Sequence, residues 1–110
     1  MLKIFCLIAK LENCKNLDFL TDGSKALSLL KEMASEINTK IFSEHVYEFD
    51  PGISAIIIVG ESHFALHSWP ELKSAYFVAT ICKKVDLKKG LEFLKEKLGA
   101  EKIGEKYFEI

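Results

Sequence analysis

The 110-residue chain is short of several features that would assign it to a known class at once. Its three cysteines, Cys6, Cys14 and Cys82, are odd in number and form no CxxC pair, which argues against a disulfide framework and against a structural zinc site. Two prolines and six glycines give no Pro- or Gly-rich linker, and no internal repeat or low-complexity tract stands out. Neither sign of charge is in excess. Fifteen Lys plus Arg oppose sixteen Asp plus Glu for a formal charge of -1, so the basic surplus that nucleic acids or anionic membranes select is missing. Long hydrophobic runs are also missing. The apolar start, Leu2 to Ala9, is interrupted by Lys3, bounded by Lys10, too short to span a bilayer, and without a basic leader and small-residue cleavage site. A cytoplasmic protein with reduced thiols, no nucleic-acid partner and no membrane partner is expected.

What is present is a folding composition. Hydrophobic residues make up 49% of the chain, which fits one globular domain over residues 1–110. Lys3 to Leu11 reads as a strand covered on both faces. Ala26, Leu27, Leu30, Met33, Ala34 and Ile37 recur at spacings of three and four behind the candidate caps Asp22 and Ser24, predicting a helix over Ser24 to Ile37. Ile41 to Phe49 and Ile53 to Val59 are strand-like around the turn residues Asp50-Pro51-Gly52, predicting an antiparallel hairpin. Phe64, Leu66 and Ser68 alternate with His63, Ala65 and His67 in a further strand that Trp69-Pro70 closes, and Ala75 to Cys82 is another. Leu87, Leu91, Leu94 and Leu98 mark one face of a second helix, capped by Asp86 and Gly99, and Ile103 to Phe108 forms a last edge strand. The expected fold is α+β, a two-layer sandwich of a mainly antiparallel sheet with two helices on one face.

Two helices cover one face of such a sheet, yet the segments around Leu7 and Ile57 are apolar on both. A homodimer packed sheet on sheet, an αββα sandwich, is therefore expected. The alternative is that these are central strands whose second face is covered by loops.

Chemistry concentrates between Glu61 and Glu71, which hold two of the three histidines, the one tryptophan and a serine following an acid. Metal binding by His63 and His67 is disfavoured, because four residues along a strand separate them by about 13 Å. A serine hydrolase lacks its GxSxG elbow. The simplest reading leaves both histidines as hydrogen-bonded residues of a half-buried strand.

The string Gly60-Glu61-Ser62-His63-x-x-x-His67-x-Trp69-Pro70-Glu71, followed by Cys82 twenty residues after Ser62, closely resembles the self-cleavage motif of prokaryotic S-adenosylmethionine decarboxylases. Phe49-x-Pro51-Gly52-Ile53-Ser54 and the helix after Asp86 extend the resemblance over about Gly23 to Ala100. These pyruvoyl enzymes supply the aminopropyl donor of polyamine (spermidine) biosynthesis. The resemblance implies a proenzyme that cuts itself between Glu61 and Ser62, turning Ser62 into a pyruvoyl cofactor that acts as a Schiff-base electron sink for decarboxylation. It implies that Ser54 and His67 assist processing, Ser54 by hydrogen bonding the intermediate and His67 by removing the Ser62 Cα proton. It implies that Cys82 reprotonates the substrate carbon, and that Phe49 and Glu71 line the nucleoside pocket, with Trp69 beside them. Two further readings are a pyruvoyl decarboxylase of another amino acid and a non-processing paralogue with a structural or regulatory role.

In one straight strand Ser62 and His67 lie about 16 Å apart on opposite faces, too far for proton transfer. Either they meet across a homodimer, with Ser62 and Cys82 of one subunit facing Ser54, His67, Phe49 and Glu71 of the other, or the chain bends sharply after Ser62. The sequence also departs from the family pattern. The usual Tyr-Gly-Tyr-Ala-Ala-x-Asp-x-Phe-Thr-Cys-Gly is here Leu72 to Lys83, with Val78 in place of the Asp; the turn before Ser54 is one residue shorter, and the Gly-Arg-His-Leu start is absent. Each departure bears on the shape of the substrate pocket.

Overall fold

The computed structural model describes residues 1–110. Six strands form one antiparallel sheet: β1 (Phe5–Glu12), β2 (Ile41–Glu48), β3 (Ile53–Val59), β4 (Ser62–Trp69), β5 (Ser74–Ile81) and β6 (Lys102–Glu109), in the spatial order β2-β3-β4-β5-β1-β6. Three helices accompany them: α1 (Asp18–Thr21), α2 (Gly23–Glu36) and α3 (Leu87–Leu98). This is the expected α+β architecture of a mainly antiparallel sheet with its helices to one side. The first strand begins two residues later than the composition suggests, and α1 is an addition that the sequence pattern did not reveal.

The two long helices begin and end where local chemistry dictates. The Asp22 carboxylate accepts from the backbone N–H groups of Ser24 and Lys25, and Asp86 accepts from Lys89 N–H, so each helix has orphan donors satisfied at its start. Gly99 ends α3 at φ 65°, a left-handed conformation in which a Cβ is penalised. Ala26, Leu29, Leu30 and Met33 of α2 and Leu91, Leu94 and Leu98 of α3 are buried against Leu7, Leu11, Ile53, Ile57, Phe64 and Phe77 of the sheet.

Alternation along each strand then separates two faces. Leu7, Ala9 and Leu11 of β1, Ala55 and Ile57 of β3, and Phe64 and Leu66 of β4 point toward the helices and are buried. The opposite face carries Ile8, Ile58, His63, Ala65, His67, Tyr76 and Val78, and no helix covers it. Ile8 and Ile58 remain 44% and 39% exposed, so loops of this chain do not close over that face.

Ser68 is the polar exception on the buried side. Its hydroxyl donates to Leu20 C=O (2.6 Å) and accepts from Ile53 N–H (2.9 Å), tying α1 and the start of β3 to the end of β4. Replacing it by Ala strands two buried backbone groups, each worth roughly 1–3 kcal/mol of desolvation. We expect Ser68→Ala to lower the midpoint of urea unfolding measurably, whereas Ser68→Thr, which keeps the hydroxyl, should lose less; equal midpoints for Ser68→Ala and the parent chain would remove this tie from the account.

Candidate active site

The hairpin β3-β4 arranges the functional residues. Its connection is only Gly60-Glu61, since Val59 pairs directly with Ser62, and that register carries down the ladder to pair Ser54 with His67. One consequence is that two groups of side chains form at opposite ends of β4.

At the upstream end lies the Ser62 group. Glu61 has φ 58°, in the left-handed region that a side chain disfavours, and it supplies the carbonyl immediately before Ser62. Ser62 Oγ accepts a hydrogen bond from Cys82 N–H (3.0 Å), and the Cys82 thiol lies 3.7 Å from Gly60 C=O. Cys82, the first residue beyond β5, is thus held against the Gly60–Ser62 turn through both its N–H and its thiol. His63, next along β4, turns to the other face, where Thr80 Oγ1 sits 3.1 Å from its Nδ1.

At the downstream end lies the His67 group. Ser54 Oγ and His67 Nδ1 are 2.6 Å apart, a short bond that occupies one imidazole nitrogen. Burial lowers the His67 pKa from its ordinary 6.5, so the neutral ring persists to more acidic pH. A cleft of ≈ 320 Å³ opens beside it, lined among others by Phe49, Pro51, Ser54, His67, Trp69 and Glu71. The turn that shapes its rim is closed by a bond from Phe49 N–H to Gly52 C=O (2.7 Å). Gly52 is required there because a Cβ would stand 2.6 Å from Ser68 C=O.

The chain therefore brings Ser54, His67, Phe49, Trp69 and Glu71 together, and separately Glu61, Ser62 and Cys82. It does not unite the two groups. Strand β4 pairs without a shift with β3 from Ser62 to His67, and with β5 from His63 to Trp69, so the sharp bend after Ser62 is excluded. Both histidines have hydrogen-bonding partners in a partly buried strand, as the plain reading of the segment anticipated. Neither motif nor spacing marks Tyr76, yet its ring stacks on His67 at 5.2 Å between centroids and 26° between planes. The other thiols are set apart from this chemistry: Cys6 and Cys14 are buried, and burial pushes the Cys14 thiol up to about 11. No helix is long and apolar enough to cross a membrane.

The chain is similar to known proteins in both sequence and fold. The family model described as S-adenosylmethionine decarboxylase matches residues 6–109. A protein of Clostridium botulinum named S-adenosylmethionine decarboxylase proenzyme is 35% identical over 101 residues, covering 88% of this chain and 84% of that one. Its namesake in Pyrococcus furiosus is 31% identical over 86 residues, covering 76% and 62%. In three dimensions the chain is similar to the adenosylmethionine decarboxylase of Aquifex aeolicus, with a TM-score of 0.87 over 97% of this chain and 89% of the other at 18% identity, a likeness of fold.

Proposed function

The chain belongs to the S-adenosylmethionine decarboxylase family, and from that premise we propose that residues 1–110 form a single-domain proenzyme that cleaves itself between Glu61 and Ser62 and then decarboxylates S-adenosylmethionine. The observation that carries this reading is the Gly60–Ser62 turn: a serine oxygen fixed by Cys82 N–H beside a carbonyl whose residue is held left-handed.

The cleavage chemistry uses this chain's own atoms. Ser62 Oγ attacks the Glu61 carbonyl carbon, and the Ser62 nitrogen leaves as an amine, so that the peptide becomes an ester. A base removes the Ser62 Cα proton, the Cβ–O bond breaks, and Glu61 departs as a carboxylate. The dehydroalanine that remains takes up water and releases ammonia, leaving a pyruvoyl group at the head of the Ser62–Ile110 chain. Left-handed strain at Glu61, of order 1–3 kcal/mol, is relieved when that bond is cut. Because the cut falls in a two-residue connection, β3 and β4 keep their pairing afterwards.

The residues around Ser62 fit such a group, since Ser62 is partly exposed at a strand end and Cys82 stands beside it. When formed, the pyruvoyl ketone supplies the electron sink for the carbanion left by carbon dioxide. In this reading Cys82, whose Sγ lies 3.7 Å from Gly60 C=O at the same turn, delivers the proton that replaces the carboxyl group. His67 serves processing as the base: for Nε2 to accept a proton, Nδ1 must carry hydrogen and donate to Ser54 Oγ, which frees the Ser54 hydroxyl proton for the intermediate. Phe49 and Trp69 offer aromatic faces to a purine or sulfonium, and Glu71 offers a carboxylate to ribose hydroxyls.

Ser62 and His67 act on one another in this scheme although they sit at opposite ends of β4. Their meeting place is a homodimer, formed by the uncovered sheet face that bears Ile8, Ile58 and Val78, in which each site takes Ser62 and Cys82 from one copy and Ser54, His67, Phe49 and Glu71 from the other; Ser62, whose side chain turns to the helix side like its register partner Val59, reaches that site from the very end of β4, at the Gly60-Glu61 turn. Denaturing mass spectrometry of the freshly purified chain tests the proposal. Met1–Glu61 and an amino-blocked Ser62–Ile110 fragment lacking the Ser62 nitrogen are expected, followed by carbon dioxide release from carboxyl-labelled S-adenosylmethionine. A chain still intact after prolonged incubation overturns the self-cleaving reading; cleavage without carbon dioxide release overturns the substrate.

A further inference from the structure

We propose that Tyr76 is the positioning residue for His67, stacking on the imidazole so that Nδ1 stays on Ser54 and Nε2 alone is left to move a proton. The inference rests on the reading of His67 as the processing base and goes beyond it by assigning a residue that neither motif nor spacing singles out.

Three geometrical facts carry it. Tyr76 is the register partner of His67 across the β4-β5 ladder, on the face that no helix covers. Its ring lies nearly parallel to the imidazole, 5.2 Å away at 26°, and Trp69 also stacks on it, at 6.3 Å and 29°. His67 is thus gripped from two directions: Ser54, its register partner on β3, holds Nδ1 at 2.6 Å, and Tyr76 on β5 holds the plane. A single hydrogen bond fixes one atom but leaves the ring free to rotate about it. A flat neighbour removes that freedom, and reactions that depend on alignment lose rate steeply when a group drifts by an ångström.

The stack also withholds water from the ring, in keeping with the direction of the His67 pKa. The other titratable groups near this pair are Tyr47 on β2 opposite Ser54, Lys10 on β1 opposite Tyr76, and Glu71 across the cleft. None of them changes when Tyr76 is replaced, so a change at His67 reports the loss of the ring.

The test uses the full-length chain with Ser62→Ala, which keeps it uncut, and follows the His67 ring nitrogens by heteronuclear NMR across pH. With Tyr76 present, one neutral tautomer protonated at Nδ1 and a pKa below 6.5 are expected. Tyr76→Ala should mix the tautomers and raise the pKa toward 6.5, and Tyr76→Phe, which keeps the ring, should restore both. In chains that retain Ser62, Tyr76→Ala should cleave roughly tenfold more slowly, and its rate should reach a plateau at higher pH, while Tyr76→Phe should cleave at nearly the parental rate. An unchanged tautomer and pKa in Tyr76→Ala overturn the proposal, as does a shifted His67 with unchanged cleavage or a Phe variant that restores neither. Should the parent chain not cleave at all, the self-cleavage reading fails on its own, and the NMR comparison still decides whether Tyr76 positions His67.

Discussion

A Ser62→Ala chain should run as a single full-length species on denaturing mass spectrometry however long it is incubated, and should release no carbon dioxide from S-adenosylmethionine. The expectation is absolute because the hydroxyl is consumed by the reaction: without Oγ there is no ester, no elimination and no pyruvoyl group. Loss of folding would not explain such a result. Ser62 is only partly buried, and its oxygen accepts one hydrogen bond, from Cys82 N–H, so its removal costs about 1 kcal/mol or less of stability. Circular dichroism and the unfolding midpoint should stay close to those of the parent. Cys82→Ala separates the two stages. Its backbone N–H still donates to Ser62, so cleavage should continue, whereas loss of the thiol proton should slow decarboxylation by about 10²–10⁴-fold. Cleavage that stops in Cys82→Ala would move the thiol from substrate protonation to processing.

These placements differ in how far the sequence foretells them. The alternation of His63, Ala65 and His67 against Phe64, Leu66 and Ser68 already assigns faces, because a strand turns its side chains over at every residue. The two-residue connection Gly60-Glu61 then sets Val59 opposite Ser62, and counting down the hairpin sets Ser54 opposite His67. Spacing therefore held the Ser54–His67 pair once the turn length was known. The stack on Tyr76 was not accessible in this way. Its register depends on the 3-10 turn Pro70–Leu72 and on Lys73 at φ 50°, a left-handed stop that no glycine or asparagine announces. Helix α1 was hidden for another reason: four residues are too few to show a helical period, and Leu20 is buried by tertiary packing rather than by an amphipathic pattern. The neighbour relation of β1 and β5 is likewise non-local and carries no local signature.

The division of the site into two ends of β4 leads to a result that only a composite dimer gives. Mix Ser62→Ala chains, which cannot form the ester, with His67→Ala chains, which keep the serine but lack the base and should cleave about 10²–10⁴-fold more slowly alone. If each site takes Ser62 from one copy and His67 from the other, a mixed dimer holds one site with both residues native and one with both replaced. In an equal mixture with random exchange, half of the dimers are mixed, so about half of the His67→Ala chains should be cut at the parental rate while every Ser62→Ala chain stays whole. The asymmetry is the diagnostic: restored cleavage appears on the chain that carries the histidine mutation, because its Ser62 meets the His67 of the other copy. Were the two residues to act within one chain, no combination would recover, since neither variant contains both. The interface itself is tested by the same mixture. Val78→Lys in both chains would place a charge in the middle of the uncovered sheet face, where Val78 is the register partner of Ala65 and Ile8. Burying an unpaired ammonium there costs several kcal/mol, so the mixture should lose both its dimer on size-exclusion chromatography and its recovered cleavage together. Recovery that persists in monomeric Val78→Lys chains would place the meeting of Ser62 and His67 somewhere other than this face.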